Sequence, residues 1–153
     1  MRRTATILAV SALMVTFSSG VALATFEATI EGTDSTDIIT GTGLDEQISG
    51  FGGDDRINGG GGADLVLGGR GSDELADCLG RDTVRGGGGP DNLIGQGGDA
   101  ARDYFIAGGG DDLIQTVDVP GVADVVDCGP GTDTVYADEA DIVKDNCERV
   151  RRP

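Results

Sequence analysis

The sequence predicts an all-β fold built from very short strands that recur every nine residues. Glycine accounts for 28 of the 153 residues and aromatic residues for 4%, a composition that leaves little side-chain volume for a large conventional core. From residue 32 to residue 136 the chain can be divided into nine-residue units, most of which open on glycine. Each unit carries one apolar residue at a fixed position near its end.

That spacing excludes a helix and favours a strand. A helical stripe needs apolar residues three or four positions apart, and one per nine cannot form it. A strand of three residues needs only one, because neighbouring side chains point to opposite faces. Each unit is therefore predicted to be a six-residue turn followed by a three-residue strand.

Two columns of residues carry the repeat. Through eleven units the sixth position is acidic and the eighth is apolar. The acidic column comprises Asp37, Glu46, Asp55, Asp64, Asp73, Asp82, Asp91, Asp103, Asp112, Asp124 and Asp133. The apolar column comprises Ile39, Ile48, Ile57, Val66, Leu75, Val84, Leu93, Phe105, Ile114, Val126 and Val135. We expect the apolar column to form the core.

Three units, GGGGADLVL (59–67), GGRGSDELA (68–76) and GGGGPDNLI (86–94), show the pattern in full. They resemble the nonapeptide G-G-x-G-x-D-x-U-x of the RTX (repeats-in-toxin, hemolysin-type) calcium-binding family. The resemblance covers residues 32–136. It implies a right-handed parallel β-roll, a β-solenoid of nine-residue half-coils, with several Ca²⁺ ions between turns stacked on the same side.

The chemistry of the residues agrees with calcium. Ca²⁺ takes six to eight oxygen ligands at about 2.3–2.6 Å, more than one carboxylate supplies. A glycine turn exposes its carbonyl oxygens, and the acid at position six adds charge. Catalytic carboxylates are the rival interpretation, but acid and base partners need distinct environments, whereas these acids recur in equivalent ones.

If alternate units stack, the turns form two sides. The predicted metal ligands of the first side are Asp37, Asp55, Asp73, Asp91, Asp112 and Asp133, and we expect this side to bind most of the calcium. The second side contains Glu46 in place of Asp and two three-residue insertions, at 100–102 and within 116–127. We expect it to hold one or two ions around Asp64 and Asp82.

The two ends of the repeat lose its register. TFEATIE (25–31) alternates apolar and polar residues, which predicts a strand that caps the first coil. Residues 137–153 are predicted to form a C-terminal cap in which Ile142, Val143 and Val150 cover the last coil. A disulfide is predicted between Cys128 and Cys147, and Cys78 remains as a free thiol or an intermolecular partner.

The first 24 residues read as a signal peptide, with a basic start, an apolar run and the A-x-A motif at 22–24. An uncleaved membrane anchor is the alternative, but the apolar run is short for a span. The 27 acidic against 11 basic residues give a net charge of -16. That balance argues against nucleic acid and favours cations as partners.

These observations predict a secreted, extracellular calcium-binding protein whose folding is coupled to Ca²⁺. We do not expect an enzyme, because the chain has no histidine and no nucleophile motif. The alternative is an extracellular adhesion or surface-binding module in which calcium only rigidifies the scaffold. In that case the two insertions would form a binding face for an unknown cell-surface partner.

Overall fold

The computed structural model describes residues 26–77, 79–96, 100–116 and 122–152. Every regular secondary-structure element in these ranges is a β-strand. They are β1 (Ala28–Thr33), β2 (Ile38–Thr40), β3 (Glu46–Gly52), β4 (Arg56–Asn58), β5 (Leu65–Arg70), β6 (Glu74–Ala76), β7 (Thr83–Gly88), β8 (Asn92–Ile94), β9 (Tyr104–Gly109), β10 (Leu113–Gln115), β11 (Val125–Asp127), β12 (Thr134–Tyr136), β13 (Ile142–Val143) and β14 (Arg149–Arg151). The predicted signal peptide and Cys78 lie outside the described residues.

The strands form two parallel seven-stranded sheets. One contains the odd-numbered strands in chain order and the other the even-numbered strands in reverse order. Ile48 of β3 pairs with Val66 of β5, and Ile57 of β4 pairs with Leu75 of β6. Each strand therefore pairs with the strand one coil, or two nine-residue units, further along. The predicted parallel β-roll is confirmed.

The core is the apolar column of the repeat. The three-residue strands β4, β6, β8 and β10 direct their middle residue inward, as predicted. The strands β3, β5, β7 and β9 are longer than the predicted three residues, because each continues into the glycine turn that follows it. Every member of the column is buried, and Phe105 is the largest of them. A core this thin stabilises each coil only modestly, which gives the turns between the sheets a large share in determining whether the roll forms.

The two ends of the roll are closed differently. Ile30 of β1 pairs with Ile48 and packs against the core. At the other end Val143 also packs against the core, but 52% of Ile142 is exposed. The expectation that Ile142 covers the last coil is wrong, because the β13 register aligns it with Val125, an outward position of β11.

A disulfide joins the C-terminal cap to the last regular turn. Cys128 and Cys147 are bonded, with their α-carbons 5.3 Å apart, as predicted. Both cysteines belong to the core cluster. The bond therefore fixes the final segment against the last coil.

Both insertions lie on the same side of the roll. The first precedes β9 and the second precedes β11, and these strands are neighbours in the odd-numbered sheet. Residues 117–121 of the second insertion lie outside the described residues. Close to the first, Tyr104 contacts the Arg81 guanidinium, 5.7 Å above its ring. Among the described residues, no helix has the length and apolar character needed to cross a membrane.

Candidate metal sites

The acidic column becomes two rows of buried carboxylates, one on each side of the roll. Each acid ends a turn, immediately before or at the start of the strand it leads into, so the parallel sheets stack acids one coil apart. On the first side the Asp55 backbone N–H donates to Asp73 Oδ1 at 2.9 Å, and the Asp73 N–H donates to Asp91 Oδ1 at 2.9 Å. On the second side the Asp64 N–H donates to Asp82 Oδ1 at 2.8 Å.

These hydrogen bonds connect the predicted ligands of each side into a continuous row. The first row runs through Asp37, Asp55, Asp73, Asp91, Asp112 and Asp133, each N–H bonded to the next carboxylate. The second runs through Glu46, Asp64, Asp82, Asp103 and Asp124 in the same way. Asp64 and Asp73 therefore belong to different rows, although they are nine residues apart.

Two further acids extend the rows beyond the residues that the sequence predicted. Asp124 donates its N–H to Asp141 Oδ1 at 3.1 Å, and Asp133 donates to Glu148 Oε2 at 2.9 Å. The signal for them was present: each acid precedes an apolar residue, Val143 or Val150, by two positions. The last turns depart from the nine-residue length, so a search at the regular spacing does not find Asp141 and Glu148.

Several interior carboxylates have one buried oxygen that accepts no hydrogen bond from the described residues. In the described part of the chain, the Oδ2 atoms of several position-six aspartates are buried and accept no hydrogen bond. They are those of Asp55, Asp64, Asp73, Asp91, Asp112 and Asp133. A buried charged oxygen without a partner is costly, so a row of them indicates a ligand that the protein itself does not provide.

Where a turn of the first side opens on glycine, that glycine makes room for this oxygen. A β-carbon added at Gly68 would lie 2.5 Å from Asp73 Oδ2 and 2.7 Å from the Gly86 carbonyl oxygen. The same two kinds of oxygen crowd the β-carbon positions of Gly50 and Gly86. The space beside each interior carboxylate is thus lined by oxygen atoms, the ligands that hard divalent cations prefer.

The ends of the rows are completed by the protein instead. Asp37 Oδ2 accepts the N–H of Thr33 at 2.6 Å and its hydroxyl at 2.8 Å. Thr42 donates to Glu46 in the same way, at 2.7 and 2.5 Å. At the far end the Thr116 hydroxyl donates to Asp141 Oδ2 at 2.8 Å. The oxygen atoms of the interior turns therefore fit a cation, whereas threonine donors already satisfy the carboxylates of Asp37, Glu46 and Asp141.

The buried aspartates of the interior turns have raised pKa values, because burial disfavours their charged form. Burial raises the pKa of Asp55 to about 6, and the pKa values of Asp64 and Asp91 to about 7. The charges of adjacent aspartates in the row contribute to these shifts in pKa. By contrast, the Lys144 ammonium lowers the pKa of Asp127 on the outer surface.

We expect the calcium-free fold to be more stable in mild acid than above neutral pH. An aspartate with an ordinary pKa of 3.8 in the unfolded chain and a pKa of about 6 to 7 in the fold binds protons more tightly when folded. Stability is then greatest below the unfolded pKa and is lost as the pH rises through the folded values. Far-UV circular dichroism of the calcium-stripped chain at about pH 5 and about pH 8 measures this. Equal β content at the two pH values, measured at high ionic strength, would contradict this expectation.

A family model matches the part of the chain that contains these turns. The model of the RTX calcium-binding nonapeptide repeat (4 copies) matches twice, over residues 40–75 and over residues 79–114. Residues 40–75 and 79–114 are therefore RTX calcium-binding repeats. No curated protein and no solved structure matches it.

The match indicates calcium as the ion that such repeats bind. The matched residues include the RTX turns that end in Asp55, Asp64, Asp73 and Asp91, whose Oδ2 atoms lack a protein partner. Calcium-binding repeats on a parallel β-roll fit Ca²⁺ at these turns.

Proposed function

We propose that this protein is a secreted calcium-binding protein whose β-roll forms only when Ca²⁺ occupies the interior turns. The observation that carries the proposal is the series of buried Oδ2 atoms without a hydrogen-bond donor. The repeat family supports the choice of ion, and the threonine-completed end turns support the role of the interior ones.

Each proposed ligand aspartate of the interior turns would act with both oxygens. Oδ1 accepts the backbone N–H of the preceding coil, which fixes the spacing of two turns. Oδ2 and the glycine carbonyl oxygens beside it would hold the cation, whose positive charge would balance the row. Asp55, Asp73, Asp91, Asp112 and Asp133 would be the ligands of the first side, and Asp64 and Asp82 those of the second.

Coupling of folding to calcium follows from where the charge lies. Folding brings the carboxylates of each row together and buries them, while most strands supply only one large side chain to the core. Binding of an ion to the folded state alone stabilises that state by mass action, as in other metal-dependent domains. Calcium binding would therefore supply free energy that the packing lacks.

Secretion is the part of the proposal that depends on the sequence. The predicted signal peptide at 1–24 would direct export, after which residues 25–31 would cap the repeats at 32–136 and residues 137–153 would close them. The disulfide between Cys128 and Cys147 suits an oxidising compartment. An extracellular medium would also provide abundant calcium.

A matched pair of variants tests the proposed ligands. Asp73→Asn keeps an oxygen for the Asp55 N–H but replaces one charged oxygen, and Asp37→Asn makes the same change where Thr33 already completes the turn. We expect Asp73→Asn to weaken calcium binding on the order of tenfold, about 1.4 kcal/mol, at the gaps beside it. Asp37→Asn should bind as the unmodified chain does.

Equilibrium dialysis with calcium gives the number of ions and their affinities for each variant. A chain that binds no calcium would overturn the proposed function itself. Equal losses in Asp73→Asn and Asp37→Asn would overturn the assignment of the interior turns, since the two carboxylates differ in whether a protein donor reaches Oδ2.

A further inference from the structure

One turn of the second side departs from the repeat at its first position. Most turns of the roll open on glycine, but the turn that leads into β7 opens on Asp77. This side chain is 1% exposed. Its Oδ1 accepts the Gln96 N–H at 2.8 Å, while its Oδ2 is buried and accepts no hydrogen bond from the described residues.

Asp77 lies beside two acids of the second row. Asp77, Asp82 and Asp103 each contribute one carboxylate oxygen to a group in which all three oxygens lie within 4.8 Å of one another. Two oxygens on opposite sides of one Ca²⁺ would be about 4.6–5.2 Å apart, given Ca–O distances of about 2.3–2.6 Å. One ion can therefore contact all three carboxylates.

We propose that Asp77, Asp82 and Asp103 form a three-carboxylate Ca²⁺ centre that differs from the repeat sites and binds the tightest ion in the protein. The buried rows of the repeat are built from acids at position six, and here an acid at a glycine position adds a third carboxylate. More ligand charge in a rigid site raises calcium affinity. The centre rests on the buried, unsatisfied Oδ2 of Asp77 and on its distance from the two row acids.

The electrostatics of Asp77 favour a bound cation. Its pKa is raised to about 8, mainly by burial and also by the charges of Asp103, Asp82 and Asp124, while the Gln96 N–H acts in the opposite direction. A divalent ion is the simplest group that would balance this concentration of negative charge.

Asp77→Asn is the decisive variant. It retains an oxygen for the Gln96 N–H and the shape of the side chain, but it replaces Oδ2 by an amide nitrogen that cannot bind a cation. The matched control is Asp45→Asn, because exposed Asp45 accepts the Ala63 N–H through one oxygen just as Asp77 accepts that of Gln96. Asp77→Gly, which restores the glycine of the repeat, replaces Asp77→Asn if the latter does not fold.

Terbium luminescence provides a local signal for this centre. Tb³⁺ substitutes for Ca²⁺ at oxygen sites and emits when a nearby tyrosine absorbs light. Tyr104 directly follows Asp103, and the only other tyrosine is Tyr136 in the even-numbered sheet. We expect the first equivalent of Tb³⁺ to give tyrosine-sensitised emission. Calcium should displace the bound Tb³⁺ and reduce this emission, and Tyr104→Phe should abolish it.

The outcomes separate this inference from the proposed function. We expect Asp77→Asn and Asp77→Gly to lose the earliest Tb³⁺ emission and one tightly bound calcium, with Asp45→Asn unchanged. If the unmodified chain binds calcium and Asp77→Asn binds the same number with the same affinities, the three-carboxylate centre is wrong and the repeat sites stand. If the unmodified chain binds no calcium, the proposed function fails first.

Discussion

Removal of calcium is expected to abolish the β-roll. In excess EGTA at neutral pH, the far-UV circular dichroism spectrum should change from that of β-sheet to that of a largely unfolded chain. The physical reason is the two rows of buried carboxylates, whose mutual repulsion and desolvation the protein does not offset at the interior turns. Addition of millimolar calcium should restore the β spectrum cooperatively, because each ion would join two coils.

Magnesium is the control for this experiment. It requires a smaller, near-octahedral site and loses its water reluctantly, so magnesium at the same concentration should restore little of the β signal. Identical spectra in EGTA and in calcium would refute the coupling of folding to calcium. They would leave open a preformed roll that binds calcium without needing it.

The second large effect is expected from replacing the consecutive glycines Gly86, Gly87 and Gly88, which form the end of β7, by alanine one at a time. Gly87 has a φ of 118°, and a β-carbon there would clash with the Gly69 carbonyl oxygen. Overpacking costs about 1–3 kcal/mol and a left-handed backbone about 1–2 kcal/mol for a non-glycine residue. We therefore expect Gly87→Ala to lower the free energy of unfolding in calcium by about 2–5 kcal/mol.

The neighbours of Gly87 make the comparison specific. Gly86→Ala should also be destabilising, because its β-carbon would meet the Ala107 carbonyl oxygen and Asp91 Oδ2. Gly88→Ala is the matched control, since none of the described atoms lies within 4 Å of its β-carbon position. Urea unfolding in saturating calcium measures all three, and equal stability of the Gly87 and Gly88 variants would show that the turns do not stack as described.

Much of this fold could be predicted because the same pattern of acidic and apolar residues recurs in eleven units. A single apolar residue in nine can form a core only on short strands, and the acid at position six marks where each turn ends. Ile48 over Val66 and Asp73 beside Asp55 both follow from stacking alternate units. The disulfide could be predicted as well, because Cys128 and Cys147 lie in the last regular unit and the cap.

What escaped prediction lies where the repeat is broken. Asp77 occupies a glycine position, and in the sequence it looks like a degenerate repeat; only its burial and its distance from Asp82 and Asp103 show otherwise. Asp141 and Glu148 follow turns of altered length. Thr33 reaches the Asp37 carboxylate through a local side-chain geometry that no periodicity encodes.

Calorimetric titration of the calcium-stripped chain with Ca²⁺ at neutral pH tests the central claim most directly. The structure and the repeats predict several ions per chain, with a tight first ion and a folding enthalpy that accompanies binding. A stoichiometry near zero would contradict the account.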